Sequence, residues 1–291
     1  MRQNHNRARI MQPEEQKIIT NAQLISILMF ALLCNCTVSY AENVSALNNL
    51  SVSSRSSGCG IMKAGTNDFI TMKIRVLDQN RIFHLRVPST YDQHRAYPLI
   101  FLWHGWGGNG LSGGLGIEYS SRNDAIIVGA DGLNQNWDIN SGSADLQFFD
   151  SMLDQIEKQY CIDRERIFSY GFSVGGFFTN LLACERGDVL RASASIAGGP
   201  AGNNCKGKVA RWFLHDMNDN VVPIATGKAA REQALATNGC STKTLDEGGG
   251  CVQYQGCEAA PVMWCESTGI GHNIRGDYAP AQVWNFFQNL R

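Results

Sequence analysis

The stretch of sequence that decides the fold is IFSYGFSVGGFFTNLL, which occupies residues 167–182. Its first part is an apolar run typical of a buried strand, its last part is typical of a helix, and a Gly-x-Ser-x-Gly-Gly turn lies between them. A serine at such a turn is held in a strained backbone, and the small residues around it let strand and helix approach closely. The pattern predicts that the Ser173 hydroxyl projects from the end of a sheet, beside a helix N-terminus that favours negative charge. The alternative is a glycine-rich turn without chemistry, since the chain contains 30 glycines.

Further apolar runs lie on both sides of this stretch and indicate neighbouring strands. The run 97–103 is continuous, as expected of a strand buried on both faces, and the runs 124–132, 192–197 and 209–214 have the same character. Between residues 132 and 167, apolar side chains recur with the spacing of an amphipathic helix. Strand, helix and strand at this spacing form a parallel crossover unit. The sequence therefore predicts one α/β domain with a mostly parallel central sheet and helices on both faces.

The ends of the predicted domain carry simpler patterns. Two alternating runs, 69–76 and 81–87, are separated by a short turn and predict a pair of antiparallel strands. His84 lies in the second run and is interpreted as a packing or surface histidine. Residues 279–290 predict a closing amphipathic helix.

The serine at the turn needs partners to act as a nucleophile. A histidine must accept its proton, and an acid must orient that imidazole; with this type of turn the partners follow in the order acid, histidine. Of the two histidines after Ser173, His272 lies in a glycine loop before the closing helix and is favoured as base over His215. Asp219, directly before Asn-Val-Val-Pro, is favoured as acid over Asp216, which fits a turn residue that binds local backbone donors.

A second glycine-rich segment, HGWGGNG at residues 104–110, directly follows the buried run 97–103. Such a loop can turn main-chain N–H groups towards a developing oxyanion. We therefore expect the oxyanion hole to consist of the backbone N–H groups of Trp106 and Val174. The alternative is a loop that is rich in glycine only because it turns.

Three tryptophans, Trp106, Trp137 and Trp264, lie in or near segments predicted to surround Ser173. Aromatic side chains suit a phenolic acyl group or the face of a sugar, because they offer large apolar surfaces. We therefore expect all three to bind substrate. The alternative is that at least one of them packs in the core.

The N-terminal part of the chain differs in character from the rest. Basic residues at positions 2, 7, 9 and 17 precede an uncharged run at 24–38, which is followed by Ser39-Tyr40-Ala41. This pattern predicts a signal peptide at residues 1–41; the alternative is a membrane anchor, although the run is shorter than the roughly 20 residues that a spanning helix needs. The Ser- and Asn-rich residues 42–58 predict a flexible lead-in, and residues 59–291 the folded domain.

The charge and cysteine content agree with a secreted protein, extracellular or periplasmic. The net charge is −1 without a basic stripe, so neither nucleic acid nor, after signal cleavage, a membrane is an expected partner. Ten cysteines are present, and eight of them follow the predicted signal peptide. An even number in an exported chain predicts disulfides, although their pairing cannot be chosen from sequence. No Cys-x-x-Cys pair occurs, so no structural zinc site is expected.

Several motifs together resemble the secreted feruloyl esterase and polyhydroxybutyrate depolymerase-like branch of the α/β-hydrolases. The resemblance covers residues 59–291 and is carried by WHGWGGN (103–109), YCIDRERIF (160–168), GFSVGG (171–176), DNVVP (219–223), YQGC (254–257), PVMWC (261–265) and Gly271-His272. It implies a single-domain α/β-hydrolase fold and ester hydrolysis through an acyl-serine. Ser173, Asp219 and His272 would form the triad, without a metal or cofactor.

The chain departs from this family pattern in two places. The family often has His-Gly where this chain has His215-Asp216, and Trp-Pro soon after the final histidine where this chain has Asn273-Ile274-Arg275. The second departure changes the expected shape of the substrate cleft.

The resemblance and the tryptophans favour a feruloyl esterase that releases hydroxycinnamates from plant cell-wall polysaccharide or its oligosaccharides. An acetylxylan esterase or a polyhydroxybutyrate depolymerase would share every catalytic residue. A non-catalytic secreted binding protein on the same scaffold is the remaining alternative. It predicts the loss of a triad member, whereas all three are present in order.

Overall fold

The predicted apolar runs form the centre of one sheet. The computed structural model describes residues 54–66, 68–111, 115–257 and 259–290. The strands in these residues are β1 (Ile70–Val76), β2 (Gln79–Arg86), β3 (Tyr97–Trp103), β4 (Ile126–Ala130), β5 (Ile162–Phe172), β6 (Ala192–Ile196), β7 (Ala210–Asp216), β8 (Thr244–Gly248), β9 (Cys251–Tyr254) and β10 (Val262–Ser267). The α-helices are α1 (Ile117–Ser121), α2 (Ala144–Glu157), α3 (Val174–Glu185), α4 (Ile224–Asn238) and α5 (Ala279–Gln288).

The order of strands in the sheet is β1-β2-β4-β3-β5-β6-β7-β10-β9-β8. The six strands from β4 to β10 in this order are parallel to their neighbours, and β1, β2, β9 and β8 add antiparallel pairs at the two edges. The structure thus confirms the predicted α/β fold with a mostly parallel sheet, including the N-terminal antiparallel pair.

Successive side chains of the central strands point to opposite sides of the sheet, so both faces are apolar, and helices cover both of them. On one face, Phe101 of β3 packs edge-on against Phe149 of α2, with ring centroids 4.8 Å apart. On the other face, Phe168 of β5 stacks on Phe287 of α5 at 4.4 Å. All four side chains are buried. The core is therefore two apolar layers with the sheet between them.

The hairpin β8–β9 is an element that the sequence did not predict. Every residue of β8 is exposed, and its sequence TLDEG has neither apolar alternation nor β-branched enrichment. The next strand supplies the constraint instead: Cys251 of β9 lies directly opposite Cys265 of β10, and the two form a disulfide. The covalent link holds a pairing that local propensity does not specify.

Four disulfides join the eight cysteines that follow the predicted signal peptide, which agrees with the even count. The pairs are Cys59–Cys161, Cys184–Cys205, Cys240–Cys257 and Cys251–Cys265. Two of them lie between residues 240 and 265, just before the segment that carries His272. They restrain the strand from which that segment emerges.

The folded unit begins slightly earlier than the sequence indicated. It extends from Ser54, and Ser56 is buried, with its hydroxyl donating to Tyr160 O and accepting from the N–H of Ile162 on β5. Residues 54–58 are therefore tied to the sheet rather than part of a free lead-in. The predicted signal peptide, residues 1–41, lies outside the described residues. Within the part that is described, no helix has the length and apolar character needed to cross a membrane.

The six parallel strands have their carboxyl ends on the same side of the sheet, and four of the segments that follow them carry the predicted site residues. The segments after β3, β5, β7 and β10 all leave carboxyl ends, and in open α/β sheets this side is where ligands bind. Trp106, Ser173, Asp219 and His272 each lie in one of these segments.

Candidate active site

Ser173 occupies the sharp turn between β5 and α3. Its backbone angles, φ 56° and ψ −125°, are unusual for a residue with a side chain and cost about 1–3 kcal/mol. The Ser173 N–H donates to Ile196 O at 2.9 Å, and the Ser173 carbonyl accepts from the N–H of Phe177 at 3.0 Å. These bonds hold the strained turn. The structure therefore contains the strand-turn-helix arrangement predicted from the sequence.

The glycines around Ser173 are needed because backbone atoms fill the space where side chains would be. A Cβ at Gly171 would lie 2.1 Å from Gly175 O, and a Cβ at Gly175 would lie 2.1 Å from Trp103 O. A Cβ at Gly176 would lie 2.8 Å from Ile196 O. The first turn of α3 thus rests directly on the ends of β3 and β6, which explains the Gly-x-Ser-x-Gly-Gly pattern.

A continuous chain of hydrogen bonds links Ser173, His272 and Asp219. His272 Nε2 lies 2.9 Å from Ser173 Oγ, and His272 Nδ1 lies 2.7 Å from Asp219 Oδ2. With the carboxylate ionised, Nδ1 carries the proton and donates to Asp219, so Nε2 is left to accept from the serine hydroxyl. This arrangement can remove the Ser173 proton when Oγ attacks an electrophile.

The environment of Asp219 keeps its carboxylate charged. The side chain is fully buried, and Oδ1 accepts hydrogen bonds from the N–H groups of Val221 at 2.9 Å and Val222 at 2.8 Å. Burial alone raises the pKa of Asp219, but the hydrogen bonds from His272, Val222 and Val221 outweigh it and hold the pKa below its ordinary value. Asp219 is therefore ionised at neutral pH and fixed in orientation.

The segment that carries the histidine is tied to the segment that carries the acid. Asp216 Oδ1 accepts from the N–H of Asn218 at 2.9 Å, and its Oδ2 accepts from the N–H of Ile270 at 3.3 Å. Asn218 Oδ1 accepts from the N–H of Gly269 at 2.9 Å. Asp216 thus binds backbone donors, as interpreted from the sequence, and the contribution of Asn218 was not foreseen.

His215, the alternative base, does not reach the serine. It is buried, its Nε2–H donates to Val222 O at 2.7 Å, and the same nitrogen lies 3.6 Å from Asp219 Oδ2. Burial lowers the pKa of His215 and keeps the imidazole neutral near pH 7. The structure brings His272, rather than His215, to Ser173.

The loop at residues 104–110, called the glycine loop below, passes beside Ser173. A Cβ at Gly105 would lie 3.5 Å from Ser173 Cβ. The Gly105 carbonyl accepts from His104 Nδ1–H at 2.7 Å and from the N–H of Gly108 at 3.1 Å. In a trans peptide the carbonyl and the following N–H point in opposite directions, so these bonds also fix the direction of the Trp106 N–H.

The tautomer of His104 follows from its partners. The N–H of Gly132 donates to His104 Nε2 at 3.0 Å, so Nδ1 carries the proton that goes to the Gly105 carbonyl. Burial lowers the pKa of His104, which favours the neutral ring. A neutral His104 therefore stabilises the first turn of the glycine loop.

The two predicted oxyanion donors remain available. Within the described residues, neither the N–H of Trp106 nor that of Val174 donates to a protein acceptor. Each belongs to a segment adjacent to Ser173, one from the glycine loop and one from the first turn of α3. Their role in binding an oxyanion stays a prediction.

An open cleft of about 350 Å³ lies over the histidine. It is lined by His104, Gly105, Trp106, Gly108, Phe172, His272, Asn273 and Ile274. Trp106 is 79% exposed in this cleft, so its indole is free to contact a ligand. The ring of Phe172 lies 4.8 Å from the ring of His272 and forms part of the same wall.

The other two tryptophans do not reach the cleft, which corrects the expectation that they bind substrate. Trp137 is 3% exposed, stacks on Phe178 at 5.3 Å and donates from Nε1 to His104 O at 2.9 Å. Trp264 is also 3% exposed and donates from Nε1 to Glu266 Oε1 at 2.8 Å. Both indoles are buried with their N–H groups satisfied, as large aromatic side chains in a core require.

Phe172 and Ile274 also line the cleft. No sequence pattern singled out Phe172, whereas Ile274 lies in the departure that was expected to change the shape of the cleft. Phe172 is the variable residue directly before the serine, and Ile274 lies in the Asn-Ile-Arg segment where the family pattern has Trp-Pro. The second residue after His272 is therefore a cleft residue in this chain. Among the described residues, no group of three or more His, Cys, Asp or Glu is arranged to hold a metal ion.

Comparison with solved structures shows the same fold. The acetyl xylan esterase from Aspergillus awamori superimposes with a TM-score of 0.59 over 75% of this chain and 99% of that one, at 14% identity. At this identity the likeness concerns the fold alone.

Sequence comparison identifies closer relatives, although no family model matches the chain. Feruloyl esterase D of Neurospora crassa is 33% identical over 278 residues, which cover 85% of this chain and 94% of the relative. Feruloyl esterase C of Emericella nidulans is 30% identical over 254 residues, which cover 80% of this chain and 90% of the relative. The chain therefore belongs to the feruloyl esterase family.

Proposed function

We propose that this protein is a serine esterase that releases hydroxycinnamates such as ferulate from esterified plant cell-wall polysaccharide, through a covalent acyl-Ser173. The observation that carries the proposal is the hydrogen-bonded chain from Ser173 through His272 to Asp219, with distances of 2.9 and 2.7 Å. Its place beside two free backbone donors matches the requirements of acyl transfer. Family membership supports the choice of acyl group.

In the first half-reaction, Ser173 Oγ attacks the ester carbonyl carbon while His272 Nε2 accepts the hydroxyl proton. Asp219 stabilises the imidazolium that forms and keeps Nδ1–H pointed at its own carboxylate. The negative charge that develops on the carbonyl oxygen is bound by the N–H groups of Trp106 and Val174. The tetrahedral intermediate then breaks its bond to the leaving alcohol, which takes the proton from His272.

In the second half-reaction, water replaces the alcohol. His272 Nε2 removes a proton from the water as its oxygen attacks the acyl carbon of the acyl-serine. The same two donors bind the second oxyanion. Collapse of this intermediate returns the proton to Ser173 Oγ and releases the free acid, so the reaction requires neither a metal nor a redox cofactor.

The lining of the cleft supports an aromatic acyl group. The exposed indole of Trp106, the ring of Phe172 and the side chain of Ile274 offer an apolar wall beside His272. A hydroxycinnamoyl ring can stack on such a wall, gaining about 0.5–1.5 kcal/mol beyond simple burial for an aromatic pair.

We further propose that the protein is secreted after removal of residues 1–41. The basic and apolar pattern of these residues and the four disulfides support export, since disulfides persist in oxidising compartments. Expression of the full chain in a secreting yeast, followed by N-terminal sequencing of the medium fraction, tests this. The expected first residue is Glu42; an uncleaved, cell-bound product would contradict the proposal.

The function is tested by hydrolysis of methyl ferulate, p-nitrophenyl acetate and a hydroxybutyrate oligomer by the secreted protein. Preference for methyl ferulate, lost in Ser173→Ala and kept in Ser151→Ala, is the expected result. Ser151 is a suitable control because its exposed hydroxyl donates to Gln147 O within its own helix, α2. Activity on acetate or hydroxybutyrate alone would overturn the proposed acyl group while leaving the mechanism in place.

A matched pair of aromatic variants tests the proposed acyl wall. Trp106→Ala is expected to raise KM for methyl ferulate much more than for p-nitrophenyl acetate. Tyr119→Ala removes an aromatic side chain of similar exposure, 81% against 79%, from α1, outside the cleft, and is expected to change neither value. Equal behaviour of the two variants would contradict an aromatic wall at Trp106.

A further inference from the structure

Residues 131–137 after β4, called the support segment below, bind the glycine loop. Four hydrogen bonds join the two segments: Gly132 N–H to His104 Nε2 (3.0 Å), Trp137 Nε1–H to His104 O (2.9 Å), Gly107 N–H to Gln135 O (2.9 Å) and Gly110 N–H to Asp131 Oδ1 (2.7 Å). The shape of the glycine loop therefore depends on the support segment. Since the loop contains four glycines, it has little conformational preference of its own.

The carboxylate of Asp131 accepts a hydrogen bond from the N–H of Gly110, at the C-terminal end of the glycine loop. Hydrogen bonds that involve an ionised partner are shorter and stronger than neutral ones, in keeping with the 2.7 Å distance to the N–H of Gly110. The same oxygen, Asp131 Oδ1, lies 3.3 Å from His84 Nε2. His84 Nδ1 in turn lies 3.1 Å from Thr71 Oγ1. A polar chain thus runs from β1 through β2 to the glycine loop.

Gly110, whose N–H binds Asp131, is also packed closely against strand β4. A Cβ at Gly110 would lie 2.3 Å from Gly129 O and 2.8 Å from His84 Cδ2, and a Cβ at Gly129 would lie 2.2 Å from Gly110 O. The loop therefore lies directly on β4, with no side chain between the two backbones. Gly110 is therefore held by two contacts, its packing on Gly129 and the hydrogen bond from its N–H to Asp131.

We propose that Asp131 is a positioning residue for ester hydrolysis: its carboxylate, held by His84, fixes Gly110 and so the loop that presents the Trp106 N–H. This inference rests on the proposed function. Asp131 is not one of the residues that line the cleft, and its carboxylate contacts the glycine loop at the N–H of Gly110. His84, interpreted from the sequence as a packing or surface histidine, orients the carboxylate. Oxyanion stabilisation requires donors that are already in place, and a misplacement of about 1 Å costs about 100-fold in rate.

The test uses Asp131→Ala, Asp131→Asn and the control Asp138→Ala in the full secreted protein. Asp138 is a second carboxylate in the segment that follows, and among the described residues its side chain accepts hydrogen bonds only from Asn140. For Asp131→Ala we expect kcat for methyl ferulate to fall about 10- to 100-fold with KM within twofold. Asp131→Asn retains an oxygen that can accept from Gly110 and is expected to recover most of the loss. Asp138→Ala is expected to match the wild type.

Two inhibitors separate a positioning role from a general loss of structure. Phenylboronic acid forms a tetrahedral adduct with a serine nucleophile and places an oxygen in the oxyanion hole, whereas ferulate is the ground-state product. Asp131→Ala is expected to weaken boronate binding by the same factor as kcat and to leave ferulate inhibition unchanged. A wild-type kcat, an equal loss of ferulate affinity, or an Asp131→Asn variant as impaired as Asp131→Ala would each overturn the proposal.

A second variant covers the case in which Asp131→Ala does not fold. His84→Phe keeps a ring of similar size but removes the N–H that holds Asp131, and a several-fold lower kcat with unchanged KM is expected. An unchanged kcat in that variant would refute the role of His84 and with it the proposed chain. Failure of the wild type on methyl ferulate, with activity on p-nitrophenyl acetate, would overturn the proposed substrate only. The variants compared on the acetate would still decide the role of Asp131.

Discussion

Replacement of Asp219 by Asn is the perturbation whose outcome follows most directly from the geometry. Asp219 Oδ1 accepts from the N–H groups of Val221 and Val222, and Oδ2 accepts from His272 Nδ1–H. In Asp219→Asn the amide oxygen must stay with the two backbone donors, because an NH₂ group there would face two N–H groups. The amide nitrogen then faces His272 and forces Nδ1 to accept. The imidazole proton moves to Nε2, which can no longer accept the proton of Ser173.

The expected magnitude follows from this change of tautomer. In the chymotrypsin-type triad, an acid-to-amide change with intact geometry lowers kcat about 10⁴-fold, and we expect a loss of the same order here. At 1.36 kcal/mol per tenfold, this corresponds to about 5 kcal/mol of transition-state stabilisation. KM for methyl ferulate should remain within a few-fold, because Asp219 is fully buried and does not contact the cleft.

The assay is steady-state hydrolysis of methyl ferulate with Asp216→Asn as the matched control. Asp216 lies on the same turn and also accepts hydrogen bonds through both oxygens, but it does not contact His272. Asp216→Asn is expected to lose less than about tenfold, in line with displacement of a supporting loop rather than loss of the acid. Asp219→Asn activity within tenfold of wild type, or an equal loss in Asp216→Asn, would refute the assignment of the acid.

Three further outcomes are expected from the structure. Trp137→Ala should lower the free energy of unfolding by about 3–5 kcal/mol in urea titrations, as removal of a buried aromatic side chain does, while a loss below about 1 kcal/mol would contradict its place in the core. The double change Cys251→Ser with Cys265→Ser opens a loop of 14 residues and should cost about 3 kcal/mol by the same measurement; unchanged stability would show that the β9–β10 pairing does not need the disulfide. Burial lowers the pKa of His215 in the folded state, so the contribution of its neutral ring to stability is complete above the unfolded pKa of about 6.5 and is lost as the pH falls below that value. The variant His215→Gln should therefore show a smaller decrease in the free energy of unfolding between pH 7.5 and pH 5. An equally steep decline in that variant would contradict a neutral His215.

The sequence predicted the parts of the fold that rest on local pattern. The buried runs that became β3, β4 and β5 and the turn at Ser173 carry strong signals, since apolar periodicity and glycine placement both reflect backbone constraints. The strand β8 carries no such signal, because it is exposed throughout and is held through its neighbour β9, which a disulfide joins to β10. Its pairing with β9 is a long-range feature that no local sequence pattern specifies.

The candidate site shows the same division. Ser173, Asp219 and His272 follow from chain order and loop position, and the structure brings them together. Burial of Trp137 and Trp264 could not be predicted from their positions, because the side chain of a loop residue such as Trp137, or of a strand residue such as Trp264, can point either towards the cleft or into the core. Which of these occurs depends on neighbours far apart in sequence, such as Phe178 under Trp137 and Phe213 beside Trp264.

The central claim is that Ser173 carries the acyl group, and peptide mapping of the trapped intermediate tests it most directly. The wild-type protein is mixed with excess methyl ferulate, quenched in acid during turnover, reduced and digested with trypsin. Arg166 and Arg186 flank the relevant peptide, residues 167–186, which contains Ser169 as well as Ser173. A feruloyl group located on Ser173 by fragmentation is the predicted result. A feruloyl group on Ser169 or on any other residue, with Ser173 unmodified, would contradict the account.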